Sequence, residues 1–398
     1  GSREEAERLL TDALREGSVD AADMLDELLR DEPSRRAALL KVRRQAVELR
    51  PGNMTRLAAL REAARADQNT NYMRAIEHVL RAFDPVTGPL APPPLTAQSS
   101  QPGMLTLLTR HSHEVGGEAF GVVWEGATAI FAKTPAAAGM TNLERVIPGP
   151  TSALSRLYEA ALRLLDTPRF ALFHRRSTDL RPKKGATSAT ELPFEEDGGA
   201  LAVAVALLQT PAAVLSGDAG EDSAHLRWVL GQALSCVLPQ NALVLGLPQA
   251  DAQALWTVIL GAFGPPGLVS VERKDAQLAD LLWQTLAPSL QRRLKDLLSR
   301  EGATPFELVL ERARQSGRRV GMFLTGDFAH AARAVVAEFP QASADELEQP
   351  GGLERLCSQL PSLADLLRLA VRPEYADARW HLPTPASQRL ASGRLPPV

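Results

Sequence analysis

The sequence predicts a helix-rich α+β protein, and three observations carry that expectation. Residues 1–84 are nearly devoid of strand signals and rich in Ala, Leu, Arg and Glu, with apolar residues at helical spacing. A Pro-, Gly- and Ser-rich stretch follows, and after it the pattern changes to short apolar clusters of strand length. Beyond residue 222 helical periodicity dominates again, to residue 371. At 398 residues, with 45% hydrophobic and 23% charged residues, the chain has room for two or three domains and a sizeable core.

In the first segment, Leu25, Leu28 and Leu29, then Leu57, Leu60 and Ala64, mark the buried stripes of successive helices. The run Ala46-Val47-Glu48-Leu49-Arg50-Pro51-Gly52-Asn53 closes a helix into a Pro-containing turn, and Ala82-Phe83-Asp84-Pro85 repeats that closure with Pro85 34 residues after Pro51. This resembles a tetratricopeptide repeat, whose length is about 34 residues. The bulky residue and small-residue pair typical of such repeats are poorly represented between Thr55 and Glu62, which leaves a generic helical bundle as the alternative. The resemblance implies a helical-hairpin segment over 1–84, the C-terminal end of a longer array, with protein partners bound on its surface.

Residues 85–103 read as a Pro-rich linker, extended at Pro92-Pro93-Pro94. A domain over 104–340 is expected next, and a C-terminal helix and tail over 341–398. Within that domain, 104–108, 120–124 and 129–132 read as strands, the last two joined as a hairpin through the turn-like 125–128. Ser152 or Thr151 caps a helix carrying Leu154, Leu157, Ala161, Leu164 and Leu165. Strands follow at 170–173, 200–208 and 212–215, with a polar, disordered-looking loop over 181–199 between the first two. Helices are expected over 222–238, 248–263, 275–300 with an interruption at Pro288, from Thr304-Pro305-Phe306-Glu307 onward, 327–338 and 353–371, before a frayed Pro- and Ser-containing tail. Val320 to Leu324 and the glycines around it read as the connection into the helix over 327–338.

The stretch 222–238 organises the second half. Leu226, Val229, Leu230, Ala233, Leu234, Val237 and Leu238 fall on one core-facing stripe. Gln232 and Cys236 lie together on its flank, with His225 two turns earlier, so these three are the candidate cleft-lining residues. The segment Leu-Arg-Trp-Val-Leu-Gly-Gln-Ala-Leu-Ser-Cys resembles the approach to the HExxH helix of zinc metallopeptidases of the CAAX-prenyl-protease-like group. Laid on that motif, Gln232 and Cys236 take the two His positions and Ala233 the Glu position. The family's third ligand, a Glu in an ExxxD-Arg-x-Gly pattern, aligns with Arg314; Arg318 stands at the Asp position, while Arg319 and Gly321 match.

The resemblance therefore implies a zincin-like domain without its metal site. Catalytic zinc takes three protein ligands, and the intervening Glu removes a proton from the bound water. Gln is a poor ligand, Ala233 accepts no proton and Arg314 brings a cation. Loss of a general base alone costs about 100- to 10,000-fold. No catalytic residue, metal or cofactor is expected, and the expected function is a non-catalytic scaffold or adaptor binding proteins through helical repeats or a vestigial peptide groove.

The alternative is an enzyme using Cys236 as nucleophile. His111-Ser112-His113-Glu114 puts metal-ligating donors close together in an expected loop, a weak signal alone. GxGxxG, Walker-type and GxSxG patterns are absent.

The net charge of -3 gives no footprint for nucleic acid. The apolar runs fall short of the roughly 18 residues a membrane span needs. Two cysteines leave room for one bridge at most and favour a reducing, cytoplasmic setting. No signal-peptide pattern opens the chain, and Gly1-Ser2 resembles a cloning junction, so the natural N-terminus is expected elsewhere.

Overall fold

The computed structural model describes residues 3–95, 103–141, 143–167, 169–176, 201–267, 269, 273, 275–300 and 304–380. The expected loop over 181–199, residues 96–102 of the expected linker and the tail beyond 380 lie outside the described residues. By its internal contacts the chain forms two units, Gly1–Pro94 with Thr325–Val398, and Leu95–Leu324. Among the described residues the fold is helix-rich with a small four-stranded mixed sheet.

The first unit begins with α1 (Arg3–Arg15), α2 (Val19–Arg30), α3 (Arg36–Leu49), α4 (Met54–Ala66) and α5 (Thr70–Arg81), each packed on the next. Ser18, Asn53 and Asn69 precede α2, α4 and α5 and accept the backbone N–H of Ala21, Arg56 and Tyr72. Each such cap stabilises its helix by about 1 kcal/mol. Leu14, Leu25, Leu29, Val42 and Ala46 form the core of the first three helices. Two helices, α4 and α5, occupy the interval between Pro51 and Pro85. Ion pairs Arg43–Asp26, Arg56–Asp23 and Arg61–Glu77 tie α3 to α2, α4 to α2 and α4 to α5.

Residues 85–94, read as the start of a linker, are fastened to this unit. Arg81 donates to the carbonyls of Thr87 at 2.7 Å and Gly88 at 3.1 Å. His78 Nδ1 lies 2.7 Å from the Leu90 carbonyl.

The second unit holds α6 (Met104–Leu108), α7 (Val115–Phe131), β1 (Glu144–Arg145), α8 (Ala153–Leu164), β2 (Ala171–Arg175), β3 (Ala202–Ala206) and β4 (Ala212–Ser216). It continues with α9 (Ala224–Cys236), α10 (Pro239–Gly246), α11 (Gln249–Phe263), α12 (Ala276–Thr285), α13 (Pro288–Arg300) and α14 (Phe306–Thr325). The strand order is β1-β2-β4-β3. β2 and β4 run parallel, with Ala171 opposite Ala212, while β3 pairs antiparallel with β4.

The strands expected at 104–108, 120–124 and 129–132, and their hairpin, are helices instead: α6 and the seventeen-residue α7. Phe120, Val122, Val123 and Trp124 are all buried, so α7 is apolar around most of its circumference, and its few polar residues, Glu118, Glu125 and Thr128, do not mark its period clearly. The turn signal at 125–128 survives as a kink, with Ala127 at φ -130 and ψ 24 inside the helix. Val320 to Leu324, expected as part of a connection, belong to α14. The helix over 222–238 ends at Cys236, and Pro239 starts α10 at an angle of 105° to α9.

Four further helices return to the first unit: α15 (Phe328–Ala337), α16 (Gly352–Gln359), α17 (Pro361–Ala370) and α18 (Pro373–Arg379). The single helix expected over 353–371 is broken because Pro361 lacks an N–H and holds Leu360 extended, at φ -116 and ψ 93. The expected tail begins with a helix, α18, whose Tyr375, Ala376, Ala378 and Arg379 are buried.

Helices α15, α17 and α18 pack on α5. The Tyr72 hydroxyl donates to the Val371 carbonyl at 2.8 Å, and Arg368 Nε donates to the Glu48 carbonyl at 2.9 Å. Gly52 has φ +87, and a Cβ there would stand 2.8 Å from the Glu354 backbone, so only glycine suits the turn. The first unit is thereby closed by residues near both ends of the sequence.

Candidate functional site

The two helices that carry the metallopeptidase resemblance lie against each other in the second unit. A Cβ built on Gly231 of α9 would come within 2.5 Å of Gly321 Cα in α14, and one on Gly321 within 2.8 Å of the Trp228 ring. Gly317, one turn before Gly321, faces Gln232, whose Cα and Cγ lie 3.6 Å from its projected Cβ. Small residues at these crossings let the two backbones meet, and large side chains fit only beside them.

This geometry decides where the candidate residues stand. Leu226, Val229, Leu230, Ala233 and Leu234 are buried, as the stripe requires, whereas Val237 and Leu238 are only half-buried. Trp228, Gly231 and Ser235, outside the stripe, are buried as well, so α9 is enclosed on most sides. Gln232 is half-buried against Gly317, and His225 is exposed in the first turn. Cys236 belongs to the core that includes Val205, Leu207 and Leu243. Burial pushes its thiol up to about 12, so it is protonated at neutral pH. His225, Gln232 and Cys236 therefore occupy three different environments.

On α14, Arg314 is exposed while Arg318 and Arg319 are buried. Arg318 pairs with Glu311 and donates to Gln315 Oε1 at 3.1 Å. Arg319 donates to the Leu107 carbonyl at 3.0 Å, which anchors the end of α6. Ser112 Oγ donates to Ser316 Oγ at 2.7 Å, and that hydroxyl passes its own proton to the Arg312 carbonyl at 3.1 Å. These arginine and serine contacts are positional, holding 104–113 onto α14.

The His111–Glu114 group is similarly engaged with neighbours. His111 Nδ1 meets Glu114 Oε1 at 3.1 Å, and Arg312 takes the other oxygen of Glu114 at 2.6 Å. His113 Nδ1 lies 2.8 Å from Glu118 Oε1, a carboxylate that also accepts from Arg293 at 2.9 Å and Gln240 at 3.3 Å. Glu118 thus joins α7 to α10 and α13. Among the described residues, no group of three or more His, Cys, Asp and Glu side chains is arranged to hold a metal ion. Among them, too, no single helix is long and apolar enough to cross a membrane; α9 and α10 reach that length only together, across their 105° bend.

The glycine crossing at 231, 317 and 321 escaped the sequence reading as a contact, although the four-residue spacing of Gly317 and Gly321 places them on one helix face. No protein-family model, curated protein or solved structure matches this chain.

Proposed function

We propose that the protein is a non-catalytic scaffold or adaptor, built from tetratricopeptide-like helical hairpins and a degenerate zincin-like domain. The observation that carries this reading is the residue set on α9 and α14, where the motif positions hold Gln232, Ala233, Cys236 and Arg314. A side chain packed on a glycine, a methyl group, a core thiol and an exposed guanidinium offer no ligand triad and no base. The hairpins of α1–α5 support the binding half of the proposal, since stacked helical pairs present extended surfaces to protein partners. A cytoplasmic setting suits the two unbridged cysteines. Use of Cys236 as a nucleophile is disfavoured by its burial and its protonated thiol.

The test combines two measurements on the full chain. Purified from zinc-supplemented cells, the protein is expected to carry only trace zinc, and Cys236 is expected to resist a thiol reagent until denaturant is added. Cross-linking followed by mass spectrometry should then place partner cross-links on exposed faces of α1–α4, and charge reversals there should abolish them. Stoichiometric zinc, or rapid native labelling of Cys236 with loss of a measurable hydrolytic activity, overturns the reading.

A further inference from the structure

His78 sits on α5 with its side chain 3% exposed, where three separate stretches of the first unit converge. Its Nδ1 is 2.7 Å from the Leu90 carbonyl oxygen, and its Nε2 is 2.9 Å from the backbone nitrogen of Phe328 at the start of α15. A carbonyl can only accept and a backbone N–H can only donate. The two partners therefore select one neutral tautomer, with the proton on Nδ1 and the lone pair on Nε2. The Phe328 N–H is one of the donors that a helix start leaves without an internal partner, and His78 supplies the acceptor. The imidazole also packs on Trp380, with ring centroids 4.9 Å apart.

The charges around the ring come from several elements. Asp327, capping α15, brings its carboxylate to 4.0 Å from Nε2. Arg379 of α18 brings an opposing positive charge and donates to the Pro93 carbonyl at 2.7 Å. Beside them Tyr375 is buried, its hydroxyl pushed up to about 12 and so neutral throughout. On α5 itself, Arg81 turns away to Thr87 and Gly88, and Glu77 pairs with Arg61. In the fastened segment Asp84 accepts from the Val86 N–H and the Thr87 hydroxyl.

We propose that His78 is a proton-operated latch: neutral, it holds residues 85–94 and the start of α15 on α5; protonated, it turns a second N–H toward the Phe328 N–H and releases them. Burial is the largest influence on the ring and lowers its proton affinity, opposed by the Leu90 carbonyl and Asp327 and aided by Arg379. A solvated imidazole has an ordinary value of about 6.5. The latch is therefore fully closed above that pH and is lost as pH falls through the lowered value of the closed state. One linked proton raises the opening constant by at most about tenfold for each pH unit.

The test is amide hydrogen exchange of the full chain at about pH 7.5 and about pH 5, corrected for intrinsic rates. In the wild type, residues 86–91 and the first turn of α15 are expected to lose protection together at the lower pH, while α2–α4 keep theirs. His78→Gln keeps a donor and an acceptor but cannot titrate, and its protection of both segments should not change between the two pH values. Nitrogen-15 spectra of histidine-labelled wild type supply a readout independent of that variant's folding, and should show the Nδ1–H tautomer at neutral pH. An Nε2–H tautomer, full protection of both segments with His78 charged, or an equal acid loss in His78→Gln each overturns the proposal.

Discussion

At the scale of single residues, Gly231 is a tight backbone constraint in the second unit. A methyl group there meets Gly321 Cα and N at 2.5 Å, and both are backbone atoms that no rotamer change can move. Gly231→Ala is expected to destabilise the protein by about 2–3 kcal/mol, the upper part of the range for overpacked cores, read as a lower urea midpoint at unchanged slope. A neutral result would mean that α9 and α14 do not touch here. Such contacts are barely legible in one sequence. The apolar stripe of α9 is readable from Leu226 to Leu234, because burial of a periodic face is a local property. Whether Gln232 meets solvent or Gly317 depends on a helix some eighty residues later, and no periodicity encodes that.

At the scale of elements, polar groups at helix ends do more than start helices. Asn53 caps α4 through the Arg56 N–H at 3.1 Å and also donates to both Glu354 oxygens at 3.2 Å. Asn53→Ala is expected to cost about 1–2 kcal/mol, by loss of the cap together with a charge-assisted bond. Asn53→Asp, which keeps the cap but faces Glu354 with like charge, should recover only part of it in thermal melts.

A cap and apolar runs made several elements readable: Ser152 before α8, and the runs that became β3 and β4. The reading failed at α7, where the paired valines at 122 and 123 imitate a strand and Gly126 a turn. Propensity there is overridden by burial, since a helix buried on most sides shows little polar periodicity.

At the scale of the molecule, charge pairing sets the acid limit of the first unit. Burial alone would raise the Asp26 carboxyl, but hydrogen bonds and charge from Arg43 and Arg30 outweigh it and hold the group below the usual 3.8. A depressed carboxyl stabilises the fold above its unfolded value and loses that contribution as pH falls through the lowered folded value. Unfolding between pH 7 and pH 2 should therefore show, below the loss that His78 brings from about pH 6.5 downward, a further acid limb beginning near pH 4, and Asp26→Asn should flatten that limb while lowering stability at neutral pH. An unchanged limb would assign the acid sensitivity to other carboxylates. The grouping of the chain was the part least available to sequence reading. A Pro-rich stretch marks a boundary by composition, yet residues 85–94 are held by Arg81, His78 and Arg379, and the partners of α5 besides α4 lie beyond residue 325.

Closure of one unit by residues from opposite ends of the sequence has a consequence for biosynthesis. The Tyr72 hydroxyl and the Val371 carbonyl it bonds are 299 positions apart. At roughly 5–20 residues per second, a ribosome takes on the order of 15–60 s to travel that interval. Throughout it, the face of α5 that will receive α15, α17 and α18 stays uncovered on a nascent chain whose intervening residues have time to fold first. Until the last helices emerge, the early ones lack these packing partners.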